Sequence, residues 1–228
     1  MGIGVSAKSK VDPASESVRL AREELVRISH RAYQRGLVVG VSGNNSIRVG
    51  GAEAFLIKAT GCSQGDMDSQ DTVLVDLEGR MLEEGKRPSK EIRWHLAIYR
   101  QNPRVGGIVH VHPPYATAWA VANRIPPLVH TAARGILKKI ALIDLAPSGS
   151  EELAEMVTKT FSDENLCVAL MREHGIIAVG SNLREAYYRA EYLEDTAKVA
   201  LLTAQVQVLG PDGGISFTGA QRDSVTGS

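Results

Sequence analysis

Two imidazoles, His110 and His112, stand two residues apart in a β-branched run, Gly107 to Val111 and onward. Side chains of a strand alternate between its faces, so this spacing points both rings to one side. Two imidazoles on one side of a strand form a ready metal chelate. The same pair also packs on half-exposed strands with no ion, and a bare His-x-His spacing does not decide between the two. His174, in Arg172-Glu173-His174-Gly175 between two apolar runs, is a third imidazole at a strand end. It reads as a turn residue, because histidine tolerates turn dihedrals, or as the third nitrogen of an open catalytic site. Glu91 adds a carboxylate in the expected first turn of a helix, where its charge also simply suits the helix dipole. Glu91 and His95 are spaced i, i+4, so His95 is a rival ligand with no other feature pointing to it. His30 and His130 carry no partner signal and read as ordinary histidines.

Three short segments combine small residues and donors. Gly40-Val41-Ser42-Gly43-Asn44-Asn45-Ser46 joins a helix to a strand, and Thr60-Gly61 follows another strand. Backbone N–H groups and hydroxyls in such turns bind phosphate without net charge. Ser89-Lys90, beside a helix N-terminus, offers a hydroxyl, a cation and the helix dipole. Each segment alone also reads as a tight turn with caps. No glycine-rich strand–loop–helix of the nucleotide-binding type occurs.

The elements that must position these groups follow from periodicity and punctuation. Residues 17–35 carry Val18, Leu25, Ile28 and Ala32 at helical spacing and stop at Gly36. Residues 46–49 and 54–59 flank Gly50-Gly51 and read as a hairpin. Residues 72–77 form a strand ending at Glu78-Gly79. Pro88 opens a helix to Arg100, and Pro103 closes it. After the histidine strand, residues 115–122 and 150–161 are helical. Residues 166–171 and 176–179 bracket His174-Gly175 as a second hairpin, and Asn182 with Glu185 starts a long final helix. The class is α/β, and the hairpins favour a mostly antiparallel sheet.

The 228 residues carry 26 Lys+Arg against 26 Asp+Glu. That length suits one domain, residues 18–208, between a flexible N-terminal segment (1–17) and a flexible C-terminal tail (209–228). A globule of this size buries about 70% of its extended surface, so its core needs no disulfide or structural metal. Zero net charge excludes binding to nucleic acid by phosphate neutralisation and gives no attraction to anionic membranes. No apolar run approaches the ~20 residues of a membrane helix, and residues 1–17 have no apolar signal core. Two cysteines, Cys62 and Cys167, read as reduced thiols of a cytoplasmic protein.

Taken in order, the motifs SGNNS (42–46), ATG (59–61), RPSKE (87–91), VHVH (109–112) and EHG (173–175) resemble the class II aldolase/adducin-like family. The resemblance spans about residues 18–205. It implies a three-layer α/β/α fold with a mostly antiparallel central sheet, and a homotetramer with active sites at subunit interfaces. It implies that His110, His112 and His174 hold a metal ion, usually zinc, and that Glu91 both ligates the free metal and acts as acid/base. Asn44, Thr60, Gly61 and Ser89 would cradle phosphate. Three imidazoles with a displaceable carboxylate favour Zn2+, while Mn2+ or Co2+ also fit.

The chain departs from the family's aldolases at three points. Lys90 replaces a serine before Glu91, beside the phosphate cradle. Thr131 stands nearest to the position of a tyrosine that aldolases supply after the histidine strand, and the last tyrosine is Tyr192. The resemblance therefore implies an aldolase that cleaves a ketose 1-phosphate to dihydroxyacetone phosphate and an aldehyde through a metal-stabilised enediolate. The alternative is decarboxylation of a 3-oxo-tetronate 4-phosphate through the same enediolate, with Lys90 suiting the extra carboxylate. Thr131-Ala132-Ala133 argues against the family's epimerases, and the three histidines argue against a non-catalytic scaffold of the same fold. Either reaction makes the ligand a small phosphorylated sugar or sugar acid.

Overall fold

The structure is a computed structural model that describes residues 11–208. Of the flexible ends expected over residues 1–17 and 209–228, residues 1–10 and 209–228 lie outside the described residues. Among the described residues seven strands form one sheet: β1 (Asn44–Arg48), β2 (Ala54–Lys58), β3 (Thr72–Asp76), β4 (Gly107–Val111), β5 (Ala141–Ile143), β6 (Val168–Met171) and β7 (Gly175–Gly180). Their order is β3-β2-β1-β4-β7-β6-β5. Among the described residues six α-helices accompany them: α1 (Glu16–Gln34), α2 (Ile92–Gln101), α3 (Pro114–Val121), α4 (Thr131–Leu137), α5 (Glu151–Thr160) and α6 (Leu183–Val208).

The sheet is mixed. Neighbouring strands pair antiparallel everywhere except β5 with β6, which run parallel. Neither the three-residue strand β5 nor helix α4 is among the elements expected from the sequence. Both are too short to show a period, and α4 contains Gly135. The helix expected to open at Pro88 instead begins at Ile92. Residues before it are tied to the end of β2: Ala59 and Pro88 form a β-bridge, and Ser89 N donates to the Lys58 carbonyl at 3.1 Å. That pairing keeps residues 88 and 89 out of the helix, so Glu91 sits at the N-cap position rather than in the first turn. At the other end of the domain, helix α1 starts at Glu16 behind a turn in which Ser15 N donates to the Asp12 carbonyl, and Val11 packs on the core.

β4 is the middle strand, with β1 on one side and β7 on the other. Both neighbours run antiparallel to it, so the end of β4 meets the starts of β1 and β7. Asn44 pairs with His110, and Val111 with Ile176. Ile108, Val109 and Val111 are fully buried, each stabilising the fold by ~1.5–3 kcal/mol. A one-residue slip of β4 would turn that set over and carry both histidines to the opposite face. The two faces are covered by different helices. A Cβ on Gly107 would lie 2.3 Å from Cα of Leu183, the first residue of α6, so the odd-numbered positions face α6. On the even-numbered face, Trp94 of α2 meets the edge of the His110 ring at 5.5 Å between centroids.

Candidate metal centre

The three imidazoles read from the sequence come together at the end of β4. The ring centroids of His110, His112 and His174 lie 4.8 to 5.0 Å apart. One ligating atom from each falls within 4.8 Å of the others. His110 lies in β4 and His112 one residue past its end, and the two rings approach each other to 3.0 Å between Nε2 atoms. His174 arrives from the turn between β6 and β7, where Glu173 adopts φ +55° and His174 N donates to the Met171 carbonyl at 3.1 Å. Gly175 follows because nothing larger fits. A Cβ there would stand 2.5 Å from both the Val111 carbonyl oxygen and the His112 ring.

His110 is fully buried, and its Nδ1–H donates to the Ile176 carbonyl at 2.9 Å. That bond turns Nε2 into the cluster, 3.0 Å from His112 Nε2 and 3.0 Å from Glu91 Oε2. His174 Nε2 lies 3.5 Å from Glu91 Oε1. Two further donors fix the carboxylate: Asn44 Nδ2 to Oε2 at 2.9 Å and Ser148 Oγ to Oε1 at 3.0 Å. Burial alone would raise the Glu91 carboxyl, but the adjacent His110 and His174 imidazoles and the Asn44 amide hold it well below the usual carboxylate range. Burial opposes charge on His110 too, yet the Glu91 carboxylate outweighs it and raises that ring above its ordinary value. His112 is pushed down to about 3 and His174 to about 4, by burial first and then by the charge on His110. At neutral pH two rings thus offer bare nitrogens beside a buried anion. With Nδ1–H of His110 committed to a carbonyl, the donor set is three nitrogens and a carboxylate, which suits an open catalytic cation site.

The expected phosphate-binding segments are gathered beside this cluster by a residue that sequence reasoning missed. Lys58, the last residue of β2, is 2% exposed. Its Nζ donates to the carbonyls of Cys62 at 2.6 Å, Val41 at 3.3 Å and Ala59 at 3.3 Å. One ammonium therefore ties the loop before β1 to the loop after β2, and burial lowers its pKa. Thr60 N donates to the Arg87 carbonyl at 3.0 Å, which brings the Ser89-Lys90-Glu91 segment to the same place. Thr60, Gly61 and Lys90 are exposed, whereas Asn44 and Ser89 are buried. Gly43, at φ +64°, lets the backbone pass His110: a Cβ there would sit 2.7 Å from its carbonyl oxygen.

Other residues fall differently from their sequence reading. His95, the rival ligand, is not in the cluster. It is fully buried behind Asn44, to whose Oδ1 its Nε2 is bonded at 2.5 Å. His130 caps α4 by accepting from Ala133 N at 3.3 Å, and its Nε2 lies 3.0 Å from Asp195 Oδ2. Ser148, in the loop between β5 and α5, had no signal in the sequence. Its bond to Glu91 joins residues 57 apart.

A mixed sheet that collects three imidazoles and a buried carboxylate at the end of its middle strand defines a candidate catalytic metal site. The family model for the class II aldolase and adducin N-terminal domain matches residues 23–201, and the chain belongs to that family. It is 38% identical over 177 residues to L-fuculose phosphate aldolase of Methanococcus vannielii, covering 78% of this chain and 93% of the relative. It is 32% identical over 186 residues to 3-oxo-tetronate 4-phosphate decarboxylase of Haemophilus influenzae, covering 79% and 87%. The crystal structure of L-fuculose-1-phosphate aldolase from Thermus thermophilus superposes with a TM-score of 0.73 at 27% identity, covering 84% of this chain and 97% of the other. No helix among the described residues is long and apolar enough to cross a membrane.

Proposed function

We propose that this chain is a divalent-cation-dependent lyase that cleaves a ketose 1-phosphate by retro-aldol reaction, releasing dihydroxyacetone phosphate and an aldehyde. The observation that carries the reading is the convergence of three imidazole nitrogens on a buried carboxylate that accepts from both Asn44 and Ser148. His110, His112, His174 and, without substrate, Glu91 would hold the ion, with zinc preferred and manganese or cobalt able to substitute. A bound cation supplies Lewis-acid stabilisation of the charge that develops on the substrate oxygens as the carbon–carbon bond breaks. Asn44, Thr60, Gly61, Ser89 and Lys90 bind the phosphate through amides, hydroxyls and one cation. Glu91, buried and held at both oxygens, moves the proton at C3 of the leaving three-carbon unit.

Three broader features belong to the same reading. Helices on both faces of the sheet support reading the arrangement as a three-layer α/β/α sandwich. Exposed Val121, Ile125, Leu202 and Val206 suit subunit packing in a homotetramer. Free thiols at Cys62 and Cys167 suit the reducing cytoplasm.

Lys90 favours a second reading. It is exposed beside Ser89 and Glu91, and the decarboxylase relative acts on a phosphorylated sugar acid by name. A 3-oxo-tetronate 4-phosphate would present its carboxylate to that ammonium and lose CO2. Product analysis of the zinc-loaded protein on ketose 1-phosphates and oxo-acid phosphates separates the two. Dihydroxyacetone phosphate with an aldehyde, abolished by a chelator, is the expected result. Release of CO2 without an aldehyde would overturn the aldolase reading.

A further inference from the structure

Behind Glu91 lies a file of buried polar side chains on β1 and α2. Tyr99 OH is 2.9 Å from Ser46 Oγ, which is 2.7 Å from His95 Nδ1. His95 Nε2 is 2.5 Å from Asn44 Oδ1, and Asn44 Nδ2 is 2.9 Å from Glu91 Oε2. Ser46 and His95 are fully buried, Tyr99 is 1% exposed, and Asn44 and Glu91 are each 4% exposed. Water does not reach the interior of the file, so each group must find its partner within it.

The direction of every bond follows from which atoms can donate. A carboxylate only accepts, so the Asn44 atom facing Glu91 is the NH2 group and its carbonyl oxygen faces His95. An amide oxygen only accepts, so His95 Nε2 carries a proton. Burial, followed by the charge on His110, holds the His95 pKa well below its ordinary value, so the ring is neutral and Nδ1 is bare. Ser46 must then donate to Nδ1, and with its only proton committed it accepts from Tyr99. Burial raises the Tyr99 phenol, which keeps the proton that starts the file. Trp94 stacks on His95 at 3.8 Å between centroids and fixes the plane of the ring.

We propose that His95 is a positioning residue: as the neutral Nε2–H tautomer it sets the direction of the Tyr99–Ser46–His95–Asn44–Glu91 chain and so turns the Asn44 amide nitrogen onto Glu91. The carboxylate is thereby oriented with Oε2 toward Asn44 and His110 and Oε1 toward Ser148. This rests on Glu91 being the group that moves the substrate proton, and the tests separate the two ideas.

Two-bond 1H–15N correlation spectra of the full chain, with His95 assigned through His95→Gln, read the tautomer without any turnover. A neutral Nε2–H ring around neutral pH is expected; a protonated ring or the Nδ1–H tautomer overturns the proposal. Steady-state kinetics then read the role. His95→Phe, which cannot donate to Asn44, should lower kcat by about 10- to 100-fold, the usual scale for losing an outer partner of a site. His95→Gln, whose amide can donate to Asn44 and accept from Ser46, should recover most of that loss. Equal kcat for all three proteins, or equal losses in both variants, overturns the positioning role. Should His95→Phe not fold, His95→Leu, which likewise cannot donate to Asn44, carries the same arm. Should the tautomer be as expected while no substrate is turned over, the functional reading falls and the directed chain stands.

Discussion

Glu91 and the imidazoles around it are a coupled set, and their proton balance has a measurable consequence. The His112 and His174 rings are held at about 3 and about 4, against an ordinary 6.5. As pH falls through 6.5 the unfolded rings take up protons and the folded rings do not. The unfolded state then binds more protons, so the stability of the metal-free protein falls from pH 6.5 toward 4. Glu91 acts in the same sense lower down, because its folded carboxylate stays ionised below its ordinary 4.5. His110 acts in the opposite sense, its raised pKa adding stability that is present below 6.5 and lost as pH rises through the folded value. Thermal unfolding followed between pH 7 and 4 should show a falling midpoint that flattens in His112→Gln. An unchanged slope in that variant would contradict the assignment. Glu91→Gln keeps the size of the side chain but removes its charge and basicity. It should lower kcat by about 100-fold or more, the range for a general acid–base group.

At the scale of elements, the site is a product of strand register and two glycines. Gly43→Ala would bring a Cβ to 2.7 Å from the His110 carbonyl, and Gly175→Ala to 2.5 Å from the Val111 carbonyl and the His112 ring. Backbone cannot yield as a flexible side chain can, so each change should cost ~1–3 kcal/mol in chemical denaturation and weaken metal binding. Lys58→Met would leave the carbonyls of Val41, Ala59 and Cys62 without their shared donor. It should destabilise the fold by ~1–3 kcal/mol and raise KM for a phosphorylated substrate, because both loops of the proposed cradle lose their tie. A variant as stable as the parent with unchanged KM would contradict that role.

Much of this level was legible in the sequence. β4 matches its expected bounds because a β-branched run between Gly107 and Pro113 admits little else. The Gly50-Gly51 hairpin and the capped start of α6 follow from local turn chemistry. There Asn182 Oδ1 accepts from Glu185 N at 2.9 Å, while the Glu185 carboxylate reaches back to Ser181 N at 2.7 Å. The helix begins past Pro88 because a tertiary bridge from that residue to Ala59 overrides the local preference. Lys58 and Ser148 carry no signal in the sequence for a related reason. A lysine at a strand end and a serine in a Pro-Ser-Gly turn look like solvated residues until the fold sets a carbonyl cage or a carboxylate opposite them.

For the whole molecule, the balanced charge of 26 cations and 26 anions is compatible with binding an anionic substrate, because the proposed cradle relies on amides, hydroxyls and one exposed lysine. It also gives subunits little net repulsion. Sedimentation equilibrium tests the proposed homotetramer: a tetramer is the expected result, and a monomer at micromolar concentration would overturn that part of the reading. The claim on which everything else depends is that His110, His112 and His174 hold a catalytic cation. Equilibrium zinc binding, measured by competition with a chromophoric chelator on the parent protein and on His110→Ala, tests it most directly. The parent should take up stoichiometric zinc, and the variant should bind it at least about 100-fold more weakly, beyond the usual cost of losing an outer partner. No uptake by the parent, or equal affinity in the two proteins, would contradict the account.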